Sequence, residues 1–454
     1  MNSEDSLKPS SQEQNTNFSA EGNVTVESGS NLDLSNTVIT NITYQTSTRV
    51  DVNIKLTRKS PYKGLEPFKD SDASVFFGRE KKIEEQSYFL LKNHWLLVSG
   101  ASGSGKSSFV WAGLIPALDE YFSSQSNSTS SDVEFISLRF KPEKNPFESF
   151  YFCLQGSEFR NLKTDDINAA FNWEQGRSDG EVNKDTLLNV VETLKSPQSC
   201  WCLFIDQFEQ IFTNSDPEYQ IPFIQGLQRL YNGITANSES VHRHSFKVIM
   251  TIRTEFLSNL GVNPYSEFGT RLQSKHLLPL PTDMSKGGLR EVIENPAHMH
   301  GVTFEKKTGK NIDLVQTIID DVYAQKGSLP LLQYTLHKLW QESHVSKDNR
   351  ELKEETYNKL GGVQGALKKR VDAIYKRFKE AKQEDVFRQV LLKLADLRYV
   401  NLDDPRVFRR RAYKDEFVER EKAQLVLDTL KDENLILADT DTEVSKDSGA
   451  RDIY

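Results

Sequence analysis

From about Ser60 onward, apolar runs bounded by polar punctuation divide the chain into alternating strands and helices. His94-Trp-Leu-Leu-Val-Ser99 is a continuous apolar run of strand length, the kind that is buried on both faces of a parallel sheet. Val133-Glu-Phe-Ile-Ser-Leu-Arg139, Cys200-Trp-Cys-Leu-Phe-Ile-Asp206 and Phe246-Lys-Val-Ile-Met-Thr-Ile-Arg253 have the same character. Val75-Phe-Phe-Gly-Arg79-Glu80 leads into a charged amphipathic helix from Glu80 to about Lys92, and Ser107 to about Leu118 predicts a second. A Ser/Asn/Thr-rich loop is expected over Ser123 to Asp132, and a polar helical region precedes Cys200. This alternation predicts an α/β fold with helices on both faces of a parallel sheet, making three layers.

The period changes at about Thr282, where Leu289 to Glu294, Asp313 to Gln325 and Leu331 to Glu342 read as helices. Beyond Glu351 a smaller helical unit follows. Its basic stretch from Leu397 to Arg411, the segment Glu416 to Lys431 and Asn434-Leu-Ile-Leu predict a winged-helix-like module with a hairpin near Arg406 to Ala412. Residues 1–58 are rich in Ser, Asn and Thr and alternate apolar with short polar positions. Two readings are open for them: disorder, or a β-solenoid-like, Asn-rich self-pairing segment. The expected organisation is 1–58, an α/β unit at 59–280, a helical unit at 281–350, a winged-helix-like unit at 351–438 and a polar tail at 439–454.

Composition narrows the class without changing this picture. The chain has 454 residues, 37% of them hydrophobic and 27% charged, with a formal net charge of -8. That is the profile of a cytoplasmic globular protein of about two or three domains, with no general basic field for nucleic acid. No stretch has the length and apolarity of a membrane span or a secretory leader, so no membrane partner is expected. Cys153, Cys200 and Cys202 supply neither a disulfide framework nor zinc-ligand spacing. The sequons at Asn17, Asn23, Asn41 and Asn127 are incidental in a cytoplasmic protein.

The chemistry concentrates after the first apolar strand, in Gly100-Ala101-Ser102-Gly103-Ser104-Gly105-Lys106-Ser107-Ser108. Gly100 and Gly105 let the backbone bend so that successive N–H groups converge on one phosphate, and the helix that starts at Lys106 adds its positive end. Lys106 can reach between β- and γ-phosphates, and the Ser107 hydroxyl can enter a Mg²⁺ shell. Asp206 closes a strand about a hundred residues later, expected beside the first strand, where its carboxylate would hold Mg²⁺ through water. Glu209 is a candidate base for the attacking water, or else a residue that caps its segment or faces solvent. Arg253 reads as a γ-phosphate sensor, or as the partner of Glu255. The set Glu294, His298, His300 and Glu305 imitates a metal cluster, but its spacing favours a solvated face. The run Arg406 to Arg411 reads as a positive edge that pairs within the protein, and nucleic acid is not an expected partner.

These motifs together resemble the novel STAND NTPases, signal-transduction ATPases related to AAA+, NB-ARC and NACHT proteins. The likeness runs from about Ser60 to Leu437. It rests on Ser60-Pro-Tyr-Lys-Gly-Leu-Glu-Pro-Phe68, Phe76-Phe-Gly-Arg79-Glu80, the Gly100 to Ser108 loop, Ala112-Gly-Leu-Ile-Pro-Ala-Leu118, Asp206-Gln-Phe-Glu209-Gln-Ile-Phe212, Thr251-Ile-Arg253-Thr-Glu-Phe256, Gly327-Ser-Leu-Pro330-Leu-Leu-Gln333 and Leu360-Gly-Gly-Val-Gln-Gly-Ala-Leu367. Gln210 stands where that family usually has a second Glu, which leaves Glu209 as the acidic candidate. The resemblance implies a P-loop NTPase sheet, a helical lid whose Pro330 contacts the base or ribose, and a winged-helix-like unit. It implies ATP/ADP and Mg²⁺ as cofactors and a switch that forms a homo-oligomer on activation, working with a separate sensor or effector protein. The function expected is an ATP-dependent signalling switch with slow hydrolysis, in bacterial defence or stress response. The alternatives are a nucleotide-binding scaffold without turnover and a DNA-associated regulator that uses the C-terminal unit.

Overall fold

The computed structural model describes residues 59–126, 133–156, 162–173, 182–236, 246–262, 265–307, 312–323, 329–346, 349–401, 404–409, 416–417, 420–432, 439–440 and 452–453. The expectations for residues 1–58 and for Asn434 to Leu437 lie outside the described residues, as does most of the 439–454 tail.

Five strands form the central sheet: β1 Trp95–Gly100, β2 Glu134–Phe140, β3 Ser199–Ile205, β4 Phe246–Arg253 and β5 Leu277–Pro279. All neighbours are parallel, in the order β2-β3-β4-β1-β5. The strand period of two decides which face each residue serves. Trp95, Leu97, Trp201, Leu203, Ile205, Val248 and Met250 enter one core, whereas Leu96, Val98, Cys202, Phe204 and Ile249 enter the other. Both faces are covered, which is why these strands read as unbroken apolar runs.

Helix α1 Glu80–Asn93 covers the second face together with α2. The path of α2 is continuous: Lys106–Ser108, a π-helical stretch Phe109–Leu114, then Ile115–Ser126. The helix therefore runs past Leu118 and takes in Ser123 to Ser126, which the sequence assigned to a loop; Phe122 is buried and stacks on Phe135 of β2, which holds the extension in place. Opposite lie α3 Pro146–Gly156, α4 Thr164–Phe171, α5 Thr186–Leu194, α6 Pro217–Ala236 and α7 Ser266–Lys275, with Phe150, Ile167, Leu187, Leu227 and Leu272 in the shared core.

After β5, α8 Lys286–His298, α9 Leu314–Tyr323, α10 Leu329–Glu342 and α11 Glu354–Leu360 enclose a separate core around Ile293, Ile318, Leu336 and Trp340. Ser285 starts α8 by accepting a hydrogen bond from the Gly288 N–H at 3.0 Å, a side-chain cap. Tyr62, from the segment that precedes α1, is part of this core. A last cluster, with Phe378, Phe387, Val390 and Leu427, joins α12 Gly362–Glu380, α13 Glu384–Lys393 and α14 Arg420–Asp432. Between α13 and α14 an antiparallel hairpin pairs β6 Ala395–Asn401 with β7 Asp404–Arg409. The hairpin overlaps the expected position, Arg406 to Ala412, with residues 406–409 lying in β7; positions 410–412 lie outside the described residues. Among the described residues no helix is long and apolar enough to cross a membrane.

Candidate functional site

The Gly-rich loop connects the C-terminal end of β1 to the first turn of α2, where ligands of open α/β sheets bind. Its two key glycines are needed for different reasons. Gly105 has φ +84° with open space where a Cβ would stand, so a left-handed backbone is what demands glycine there. Gly100 ends the strand in ordinary conformation; a Cβ on it would stand 2.6 Å from both the Leu280 carbonyl and Ser104 Oγ. Its requirement is close approach, not the bending expected from the sequence. Lys106 Nζ donates to the Gly100 and Ala101 carbonyls at 2.8 and 2.9 Å, so the ammonium arches back over the loop. Burial pulls its pKa down, opposed chiefly by the nearby Glu209 carboxylate. Ser108 turns away from the loop, accepting the Phe68 N–H at 3.1 Å.

Asp206 follows β3, but β3 is not beside β1: β4 lies between them, which corrects the expected adjacency. The insertion of β4 is what completes the site. Asp206 Oδ1 accepts from Ser107 Oγ and from Thr251 Oγ1, each at 2.7 Å, and Thr251 sits near the end of β4. Oδ2 faces Arg139 of β2 at 3.3 Å. The Asp206 side chain is only 1% exposed, so each of these contacts fixes its orientation. Ser107 and Asp206 present hard oxygen donors 2.7 Å apart, a donor set whose chemistry fits Mg²⁺.

Beyond Asp206 the chain turns sharply. Gln207 has φ +55°, an uncommon conformation for a residue with a side chain. Thr251 holds the turn by accepting the Gln207 N–H on its hydroxyl at 2.8 Å and the Phe208 N–H on its carbonyl at 2.7 Å. The turn swings Glu209 back against the end of β4. There Glu209 Oε1 pairs with Arg253 Nε at 3.2 Å, while Oε2 accepts the Arg253 backbone N–H at 3.3 Å. Glu209 is buried, not solvent-facing, and Arg253 pairs with it and not with Glu255. Burial raises the Glu209 pKa, opposed by the surrounding hydrogen bonds and by the charges of Arg253 and Lys106. Arg253 is registered directly opposite Gly100, so the sensor candidate flanks the start of the loop.

Pro330 lies in the first turn of α10, half-buried, on a different element from the cluster around Asp206. Three of the four residues with metal-like spacing engage different partners. Glu294 pairs with Arg290 at 3.1 Å, and His300 Nδ1 lies 2.9 Å from the Pro296 carbonyl. Glu305, expected on a solvated face, is buried because its Oε2 accepts the Glu354 N–H at the start of α11, at 2.9 Å. Among the described residues no group of three or more His, Cys, Asp or Glu side chains is placed to hold a metal.

Three contributors escaped the sequence. Arg139 and Thr251 act on Asp206 across strands, and the signal available for Arg139 was a charge ending an apolar strand on the ligand-binding edge. Arg79 donates to the Ser104 carbonyl at 3.3 Å and to the Pro281 carbonyl at 3.1 Å, bracing the loop from below; its burial lowers its pKa to about 10.

The sequence profile of the Novel STAND NTPase 1 family matches residues 61–448. The chain belongs to this family. The STAND NTPase assignment agrees with a parallel five-stranded sheet that carries the Gly-Lys-Ser loop at the end of β1. No curated protein matches the chain. Among solved structures the chain is similar to the ORC2 protein of Aeropyrum pernix in its ADPNP-ADP complexes, at 11% identity over 82% of this chain and 89% of that one, with a TM-score of 0.39. A Walker-type ATPase of Pyrococcus abyssi is similar at 14% identity, over 82% and 93% of the two chains, with a TM-score of 0.34. PCH-2 of C. elegans is similar at 11% identity, over 66% and 71%, with a TM-score of 0.36.

Proposed function

We propose that this STAND NTPase is an ATP-binding switch that holds nucleotide at the Gly100 to Ser108 loop and hydrolyses it slowly. The observation that carries the reading is the 2.7 Å contact between Ser107 Oγ and Asp206 Oδ1, made across an intervening strand beside Lys106. In this reading the loop N–H groups and Lys106 bind the phosphates, and Ser107 and Asp206 hold Mg²⁺. Bound Mg²⁺ would neutralise charge on the phosphate oxygens. Glu209 is the base and Arg253 the sensor. Their ion pair supports slow turnover: Glu209 accepts a proton from water only after Arg253 moves off it, and Arg253 moves when it has a γ-phosphate to bind. The helices after β5 serve as the lid, with Pro330 at the nucleotide edge, and the helices and hairpin after Glu351 form the winged-helix-like unit. Exchange of ADP for ATP would rearrange these units, expose an oligomerisation surface and signal to a separate sensor or effector protein.

The test is nucleotide binding and phosphate release by the full chain. Lys106→Ala is expected to weaken ATP binding at least tenfold, on the scale of losing a charge-assisted phosphate contact. Glu209→Gln should bind ATP as well as wild type and release phosphate more slowly. An unchanged dissociation constant for Lys106→Ala would remove the loop from the site. ATP binding without turnover, in wild type and Glu209→Gln alike, would make the protein a nucleotide-binding scaffold.

A further inference from the structure

Asp206 has one partner that phosphate chemistry does not require. Arg139 is registered opposite Phe204 on the neighbouring strand and turns its guanidinium to Asp206 Oδ2 at 3.3 Å. The guanidinium carbon lies 3.1 Å from the centroid of the Trp111 ring and 5.7 Å from that of Phe204. Trp111 belongs to the π-helical stretch of α2, five residues after Lys106, so the stack ties Arg139 to the helix that carries the loop. The result is a cation held against aromatic rings and aimed at a buried carboxylate.

This arrangement bears on metal binding. Asp206 Oδ1 already accepts two hydroxyl hydrogen bonds, and Oδ2 is the atom left to meet a hydrated cation. We propose that Arg139 competes with the divalent cation for Asp206 and thereby sets the metal affinity of the nucleotide site. The inference rests on the nucleotide reading given above. Arg139 is a positioning residue: it acts through Asp206 and touches neither nucleotide nor water in this scheme. Its charge lets the loop hold nucleotide before metal arrives, since Asp206 is neutralised in the meantime. With a cation bound, Asp206 would release Arg139, whose stack on Trp111 would then loosen.

The experiment titrates the ADP-loaded full chain with Mn²⁺, following free metal by electron paramagnetic resonance. Arg139→Gln removes the charge while keeping a donor, and is expected to tighten Mn²⁺ binding roughly threefold to tenfold, the scale of relieving one partly screened charge. Arg139→Lys should stay within about twofold of wild type, because the charge persists. If Arg139 merely orients Asp206 for the metal, Arg139→Gln will bind Mn²⁺ equally or more weakly, and the proposal fails. A second measurement needs no variant at Arg139. Mg²⁺ added to ADP-loaded wild type should change tryptophan fluorescence, and Trp111→Phe should abolish that change; a signal unaffected by Trp111→Phe, or none in wild type, counts against the proposal. A wild-type chain that binds no ADP overturns both readings, whereas ADP binding with an unmoved metal affinity overturns only this one.

Discussion

At the scale of single residues, the two ends of β4 carry opposite burdens. At the ligand end Thr251 does three things at once: its hydroxyl donates to Asp206 and accepts the Gln207 N–H, and its carbonyl accepts the Phe208 N–H. Thr251→Val keeps the shape, strips the hydroxyl and leaves the Gln207 N–H without that partner. It should cost about 1–3 kcal/mol in urea unfolding, the penalty for a buried group left unpaired. A loss within error would mean that the turn does not depend on this hydroxyl. At the other end Lys247 is 1% exposed, donates to the Leu91 carbonyl in the last turn of α1 at 3.1 Å and lies 2.9 Å from His94 Nδ1. Burial lowers its pKa to about 8 and raises that of neighbouring Cys200 to about 11. Between pH 8 and the unfolded lysine value near 10.4, the unfolded chain holds more protons at this position, so stability from Lys247 rises with pH. The thiols work the other way, since unfolding releases their protons. The difference between wild type and Lys247→Met isolates the lysine and should shift in favour of wild type by on the order of 2 kcal/mol from pH 7.5 to 10. A pH-independent difference would contradict a buried, depressed lysine.

At the scale of elements, legibility followed the length of the apolar run. β1, β3 and β4 are six to eight residues long and buried along nearly their whole length, so each stood out between polar neighbours. β5 has three residues, Leu277–Pro279, too few to show any period in the sequence. The π-helical stretch Phe109–Leu114 has no composition of its own, and nothing in the sequence separates it from plain helix. Within the candidate site, the meeting of Ser107 with Asp206 beside Lys106 is legible because each occupies a fixed place relative to a strand end. Arg139 and Thr251 were not, because they meet Asp206 from 67 and 45 residues away, and only the strand order brings them there. The short connection into α1 allows a sharper test. Gly78 has φ +83°, and a Cβ there would stand 2.6 Å from the Gly288 carbonyl in the first turn of α8. Backbone strain and a clash with another backbone act together, so Gly78→Ala should destabilise by about 2 kcal/mol or more, seen as a lower urea midpoint at unchanged slope. An unshifted midpoint would show that the connection relaxes freely.

At the scale of the molecule, the segment from Ser60 to Glu80 joins the loop to helices α8 and α10. Its C-terminal part grips the loop, through the Phe68 N–H to Ser108 Oγ and the Arg79 guanidinium to the Ser104 carbonyl. Its N-terminal part is embedded in the core enclosed by α8 to α11: the Tyr62 hydroxyl donates to the Ile293 carbonyl at 2.5 Å, His337 Nδ1 lies 2.9 Å from the Tyr62 carbonyl, and the Tyr62 ring meets Trp340 edge-on at 6.2 Å. A ligand that stiffens the loop therefore has a packed route to α8 and α10, and coupling by such a route is measurable as an energy shared between sites. In hydrogen exchange, ADP is expected to protect amides of the loop and also those of α8 around Ile293. Tyr62→Phe removes only the hydroxyl and should retain most of the α8 response. Tyr62→Ala removes the ring and should abolish the α8 response while protection of the loop persists. If ADP protects α8 equally in Tyr62→Ala, α8 senses nucleotide by direct contact, and the segment before α1 is a passive brace.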